Sequence, residues 1–158
     1  MSATNTATPD QVDVRGPRFA AWLTTAVIVA TVLVWPVSPA ASAVLLGVQA
    51  VVFAIGAWLG PRSHPYGLVF GRLVAPRLGP VTEKEPVPPL KFAQLVGFLF
   101  AVVGVVGFAA GAPLVGLVAA GFALVAAFLN AAFGICLGCH IYPLVARLRR
   151  NASAPSSA

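Results

Sequence analysis

Cys136 and Cys139 stand in the stretch "FGICLGCHIYPLVARLRR" (133–150), followed at once by His140, and are the only cysteines of the chain. Three chemistries use such a spacing. C-x-x-C-H is the string of covalent haem attachment. Cysteine and histidine together hold zinc when four ligands converge; here the set would be Cys136, Cys139, His140 and His64. Two cysteines separated by two residues also let their sulfurs meet on one helical turn, as thiol–disulfide pairs do. Against all three stands plain packing, because cysteine is a small, soft residue common in cores. Where the rest of the chain places the pair decides among them.

The chain has 158 residues, 59% hydrophobic and 9% charged, too little charge to cover a water-soluble domain. Residues 19–61 and 92–146 contain no Asp, Glu, Lys or Arg. A membrane span needs about 20 apolar residues, so each run is long enough for two. Each is broken near its middle, by "WPVSP" (35–39) and "GAP" (111–113). These observations predict four transmembrane helices near 19–36, 40–60, 91–111 and 113–137. The tight Pro-containing connections suit antiparallel neighbours. "SPAASA" (38–43) resembles a signal-peptidase site, but the apolar stretch before it, residues 19–35, is longer than a signal peptide's core and is read as a span.

The formal net charge of +6 takes its meaning from its distribution. Arg15 and Arg18 precede the first span. Arg62, Arg72, Arg77, Lys84 and Lys91 lie between the second and third, and Arg147, Arg149 and Arg150 follow the fourth. All ten basic residues therefore share one side, and no nucleic-acid partner is implied. The positive-inside rule puts both termini and the loop 61–91 in the cytoplasm. Residues 1–14 and 151–158 are small and polar and are expected to be disordered tails around a single membrane domain, 15–150.

The two apolar halves resemble each other. "PRFAAWL" (17–23) parallels "LKFAQLV" (90–96), and "HPYGLVFGRL" (64–73) parallels "HIYPLVARL" (140–148). The expected fold is all-α: two tandem helical hairpins forming a parallel repeat, each followed by a short basic interfacial helix, the first around 66–75. Matching His64 with His140 sets Gly60 against Cys136 and Ser63 against Cys139, so the cysteines mark one half only. His64, His140, Tyr66 and Tyr142 are expected to anchor at the headgroups. Gly56/Gly60, Gly107/Gly111 and Gly97/Ala101/Gly104 are expected to bring helices close. Gln49, Gln94, Asn130 and the threonines of the first span should bond across helices, since an amide in hydrocarbon needs a partner. No span carries a carboxylate, which argues against a proton-coupled pump.

Topology also bears on the cysteines. Covalent haem is attached on the outer face, whereas the pair falls at the inner mouth, and the only Met is Met1. For zinc, adjacent Cys139 and His140 make poor joint ligands of one tetrahedron. A thiol–disulfide pair fits best, with packing as its rival. An unbroken fourth helix would put the cysteines at its negative end; alternatively Gly138 can end that helix and a new one start near His140, with Pro143 in its first turn. The cysteines would then meet a helix N-terminus, with His140 and Arg147 as supporting groups that favour thiolate.

"FAQLVG" (92–97), "LNAAFG" (129–134) and C-x-G-C-x-x-Y at Cys136, Gly138, Cys139 and Tyr142 resemble the bacterial membrane family numbered 4395 among the domains of unknown function. The resemblance covers about residues 15–150 and implies a small multi-helix inner-membrane protein, often encoded beside thioredoxin-like proteins and sulfurtransferases. It implies no established activity and does not reserve position 140 for His. Lys91 stands where the family has Arg. The function expected is a thiol-disulfide or sulfur-relay module of the bacterial inner membrane without a cofactor, in which Cys136 attacks a cytoplasmic thioredoxin-like protein or sulfurtransferase and Cys139 resolves. The alternatives are a partner-docking scaffold without chemistry, its basic face on anionic lipid, or a carrier of small sulfur anions.

Overall fold

Local chemistry sets the helix ends. The computed structural model describes residues 10–152, and within them four long helices, α1 (Arg15–Val34), α2 (Pro39–Leu59), α4 (Val87–Ala109) and α5 (Pro113–Phe133). Pro in the first turn begins α2, α4 and α5, where its missing N–H has no helical partner to lose. Ser38 caps α2 by accepting the Ala41 N–H at 3.2 Å, and its own N–H closes the preceding turn on the Val34 carbonyl at 2.9 Å. The chain is thus a helical protein with four helices of 20 to 23 residues and mean hydropathy 1.7 to 2.2, each long and apolar enough to cross a membrane. No more than 39% of any such stretch is buried inside the bundle. Apolar side chains such as Leu33 (70% exposed) and Leu114 (72%) cover its outside, a surface that lipid solvates and water does not.

The helices form a ring. α1 packs on α2, α2 on α4, α4 on α5 and α5 on α1. Ile28, Leu46, Ala101 and Ala120 are fully buried at its centre, with Phe53 and Phe108 between them. Small residues set the approach. A Cβ on Gly107 would lie 2.5 Å from the Gly116 nitrogen, so α4 and α5 touch backbone to backbone near their turn. Gly97 and Gly104 take the Phe53 ring and Leu46 in the same way. Gly60 and Gly111 have another role: they follow α2 and α4 with φ of 92° and 72°, turning the chain instead of packing it.

Outside the bundle, β1 (Gln11–Asp13) pairs antiparallel with β2 (Lys84–Pro86), Val12 facing Glu85. The expected tail 1–14 is therefore corrected at residues 10–14. Asp13 holds Arg15 and Asp10 holds Arg62, each at 2.7 Å, and the Val87 N–H donates to the Asp10 carbonyl. Partners far away in the sequence supply that order. The expected tails at 1–9 and 153–158 lie outside the described residues, and 151–152 continue the last helix. α3 (Pro65–Val69) runs on through a π turn at Phe70–Val74 and a 3₁₀ turn at Ala75–Arg77. Phe70 is buried against Phe19 of α1, ring centroids 5.8 Å apart.

Two expected headgroup anchors point inward instead. The Tyr66 hydroxyl donates to Gln49 Oε1 at 2.9 Å, and Gln49 Nε2 donates to Thr24 Oγ1 at 3.3 Å, so the buried amide bonds both α1 and the loop. His64 is 3% exposed, its ring against Gly56 and Gln94 and edge-on to Tyr66. Both its nitrogens, like Gln94 Oε1, are buried without a hydrogen-bond partner. The cost of charging a dry imidazole keeps it neutral. Burial pushes its pKa down from 6.5 to about 4, and the nearby Gln94 amide offsets only part of this.

Folding stability that depends on neutral His64 is present above pH 6.5 and lost as pH falls toward 4, on the order of 3 kcal/mol. Glu85 acts in the opposite sense over a similar interval, because burial and then Glu83 raise its carboxyl to about 7. The readout is therefore a difference. In thermal unfolding of the purified proteins from pH 7 to 4, the Tm of wild type should fall relative to that of His64→Leu. Parallel wild-type and variant profiles would refute the assignment.

Candidate functional site

The site is built on a break in the helix. α5 ends at Phe133, and Gly134 adopts a left-handed φ of 69°. The Gly134 N–H donates to Asn130 O (3.0 Å) and the Ile135 N–H to Leu129 O (3.2 Å), the paired bonds that close a helix over a C-terminal glycine. After three non-helical residues α6 runs over Leu137–Ala152. The break that the sequence allows at Gly138 thus falls four residues earlier. Gly138 serves a different purpose: a Cβ there would lie 2.6 Å from the Ala93 Cα, so its absence lets α6 rest on α4. Tyr142, one turn further, packs on Phe92 at 5.9 Å, where a headgroup anchor had been expected. Pro143 lies seven residues into α6, beyond the first turn where it was expected, and leaves the Cys139 carbonyl without its helical N–H.

Cys136 therefore sits just before the first residue of α6 and Cys139 in its first turn. Their Cα atoms are 5.2 Å apart and their sulfurs are joined as a disulfide. The Cys139 N–H donates to Cys136 Sγ at 3.3 Å, as a backbone N–H donates to an N-cap oxygen. The His140 N–H donates to the Cys136 carbonyl at 3.1 Å. His140 Nδ1 meets the same carbonyl at 2.9 Å, which fixes the proton on Nδ1 because a carbonyl only accepts. The pair thus occupies the positive end of a helix, where an anionic sulfur is stabilised.

The supporting residues separate. His140 touches the turn through Cys136. Arg147 is exposed and eight positions beyond Cys139, about 12 Å along the helix. The basic group beside the break is Arg18, whose guanidinium donates to the Ala131 and Ala132 carbonyls at 3.4 and 3.5 Å and lies 4.0 Å from a Cβ built on Gly134. In the sequence Arg18 marks orientation and the internal repeat, with no sign that it stands beside the cysteine turn. A free carbonyl end within reach of an arginine depends on tertiary packing and leaves no trace in spacing. The ligand set weighed for zinc is not assembled: the two sulfurs bond each other, and His64 is buried beside Gly56. Among the described residues no three of His, Cys, Asp and Glu are placed to hold a metal ion.

Cys136, 8% exposed, faces a cavity of about 290 Å³ that also reaches Gln94 and Asn130; Cys139 is half-buried. A second cavity of about 150 Å³ adjoins His64 and shares Gln94 as its wall. Gln94 had been read with Gln49 as a bond between helices. It differs, since its oxygen finds no partner. Gly138→Val puts its new carbon against Ala93 backbone, which no rotamer relieves. It should cost about 1–3 kcal/mol and lift α6, so that Cys136 of the reduced protein alkylates faster than in wild type. Equal alkylation rates would mean that α6 does not depend on this contact.

Comparison with known proteins gives one result. Residues 12–147 match a family described as a domain of unknown function, DUF4395. No curated protein and no solved structure matches the chain. The matched stretch contains all four long helices, the Gly134 break and the cysteine turn. This chain belongs to the DUF4395 family.

Proposed function

We propose that the chain is a thiol–disulfide module of the bacterial inner membrane that exchanges electrons with a soluble cytoplasmic dithiol partner, such as a thioredoxin-like protein or a sulfurtransferase. The observation that carries this is the disulfide at the N-terminus of α6, with Cys139 less buried than Cys136. A partner thiolate attacks Sγ of Cys139, the less buried residue. The Cys136–Cys139 bond breaks and Cys136 leaves with the electron pair, its sulfur held by the Cys139 N–H and the helix end. A second partner thiolate then displaces Cys139 from the mixed disulfide. Two electrons have moved from the partner to the pair. This order reverses the expectation that Cys136 attacks first, and its basis is exposure.

Orientation and architecture belong to the same reading. All basic residues lie at the α6 end of the bundle or beyond it, which favours that end, both termini and the loop 61–91 in the cytoplasm. Leu137, Ile141, Leu144 and Leu148 form an exposed stripe along α6 beside its arginines, the pattern of a helix lying on a membrane surface. The tandem repeat gains support from a reciprocal contact. Arg18 of α1 reaches the C-terminal carbonyls of α5, and Lys91 of α4 donates to the Trp58 carbonyl near the end of α2 at 2.8 Å. Those two residues are the bases that the sequence alignment matches.

Two measurements test the proposal. Reporter fusions after Arg77 and at the C-terminus should give cytoplasmic signals; an extracytoplasmic signal would remove the reducing partner from reach. In cells, Cys136→Ser should accumulate a mixed disulfide through Cys139, and Cys139→Ser much less. If neither does, and the reduced wild-type pair alkylates no faster than an ordinary buried thiol, a scaffold without chemistry replaces this reading.

A further inference from the structure

The proposed electron exchange leaves the pair reduced after each turnover, and the structure contains a place from which it can be oxidised again. The cavity beside Cys136 is elongated and has two kinds of wall. At the sulfur end stand Gln94 and Asn130; deeper in the bundle stand Phe53, Phe100 and Phe122. Asn130 to Phe122 is eight residues of α5, about 12 Å of helix. The Asn130 amide, in the last turn of α5, gives this end a polar group able to accept or donate a hydrogen bond. At the deep end the Phe100 and Phe122 rings stack at 5.6 Å with 22° between their planes, forming a flat aromatic wall. Phe122 (59% exposed), Leu137 (40%) and Ile141 (49%) line the cavity and also the outside of the bundle, so it opens sideways onto the lipid-facing surface.

A ligand arriving through that opening comes from the bilayer. It needs a polar head for the amides, a flat or apolar body for the phenylalanines, and a reason to meet a cysteine sulfur. Resting on the thiol–disulfide reading, we propose that this cavity binds a lipid-soluble quinone, its ring near Cys136, Gln94 and Asn130 and its tail toward Phe100 and Phe122. The reduced pair passes two electrons and two protons to the two quinone oxygens, giving a hydroquinone, while Cys136 and Cys139 form one S–S bond. The Asn130 amide oxygen accepts a hydroquinone O–H. Electrons then run from a soluble dithiol at Cys139, through the pair, to a carrier in the membrane at Cys136. The two sulfurs face different partners, as their unequal exposure requires.

The test uses the full chain in lipid nanodiscs, reduced, freed of reductant without air, and mixed with ubiquinone-1. Loss of quinone absorbance and loss of free thiols should run together, one quinone per disulfide. Ala127→Phe, which fills the cavity wall without touching either sulfur, should slow this by about tenfold or more, because a displaced ring loses its reacting geometry. Asn130→Leu should raise the quinone concentration needed for half the maximal rate. Equal rates in wild type and Ala127→Phe would mean attack from solution and overturn the site. A glutathione redox buffer separates the two readings. If it titrates the pair reversibly while quinone leaves the dithiol reduced, the quinone site is wrong and the thiol module stands. In the Cys136→Ser/Cys139→Ser protein, quinone should still quench tryptophan fluorescence saturably unless Ala127→Phe is added. Absence of that quenching overturns the site even where the thiols react.

Discussion

The site depends on one left-handed residue. Had α5 continued past Phe133, Cys136 and Cys139 would close that helix and share its negative end, where an anionic sulfur is disfavoured. Gly134 turns the chain at φ 69°, and the same two cysteines open α6 instead. A break in a helix near hydrocarbon frees carbonyls that cannot be left alone. Here the Gly134 and Ile135 N–H groups and the Arg18 guanidinium take them. Arg18 lies on α1, so the break exists only where α1 and α5 are packed together. The electrostatics of the cysteine turn are thus a property of the bundle, and α6 by itself would not have them.

Polar groups inside the bundle divide along the same line. Away from the cysteines they are satisfied: Ser42 donates to the Thr31 carbonyl at 2.8 Å, and Gln49 is bonded by Thr24 and Tyr66. Toward the α6 end His64 and Gln94 are buried with nitrogen and oxygen atoms unpaired. Unsatisfied groups of this kind cost about 1–3 kcal/mol each. They border the two cavities, which share Pro17, Leu90 and Gln94 as lining. The polar groups are therefore satisfied in the half of the bundle away from α6 and incomplete near the disulfide.

Hydropathy made the four long helices legible, because transfer into hydrocarbon is a sum over residues that spacing hardly alters. α2 and α5 start within one residue of the expected 40 and 113, whereas α1 and α4 start four residues before the expected 19 and 91. The point at which α5 stops was harder to read. Gly134 and Gly138 are equally able to turn left-handed, and the choice rests on Ala93 standing where a side chain at 138 would go. The pairing of β1 with β2 was invisible for a related reason: Asp10 and Asp13 in a polar tail are drawn in by Arg62 and Arg15. Tyr66 looked like a headgroup anchor, since Tyr suits that depth. Its hydroxyl was instead the partner that the buried Gln49 required, a match visible only once the loop is folded back.

Asymmetry between the two sequence-matched halves is the remaining clue. His64 and His140 align, yet one is buried beside Gly56 and Gln94 and the other is exposed with its ring on the Cys136 carbonyl. Gly60, matched with Cys136, turns at φ 92° immediately after α2, and five non-helical residues (60–64) lead to α3, against three between α5 and α6. In the first half the segment after the turn folds inward: Phe70 and His64 fill the space beside α1 and Tyr66 reaches Gln49. In the second half the segment stays outside, touching α4 through Gly138 and Tyr142 while no residue of α6 is buried. The space left beside His64 is about 150 Å³, and the one beside Cys136 is about 290 Å³. Under the proposed thiol chemistry the larger space has a use, because a reacting sulfur must be approached.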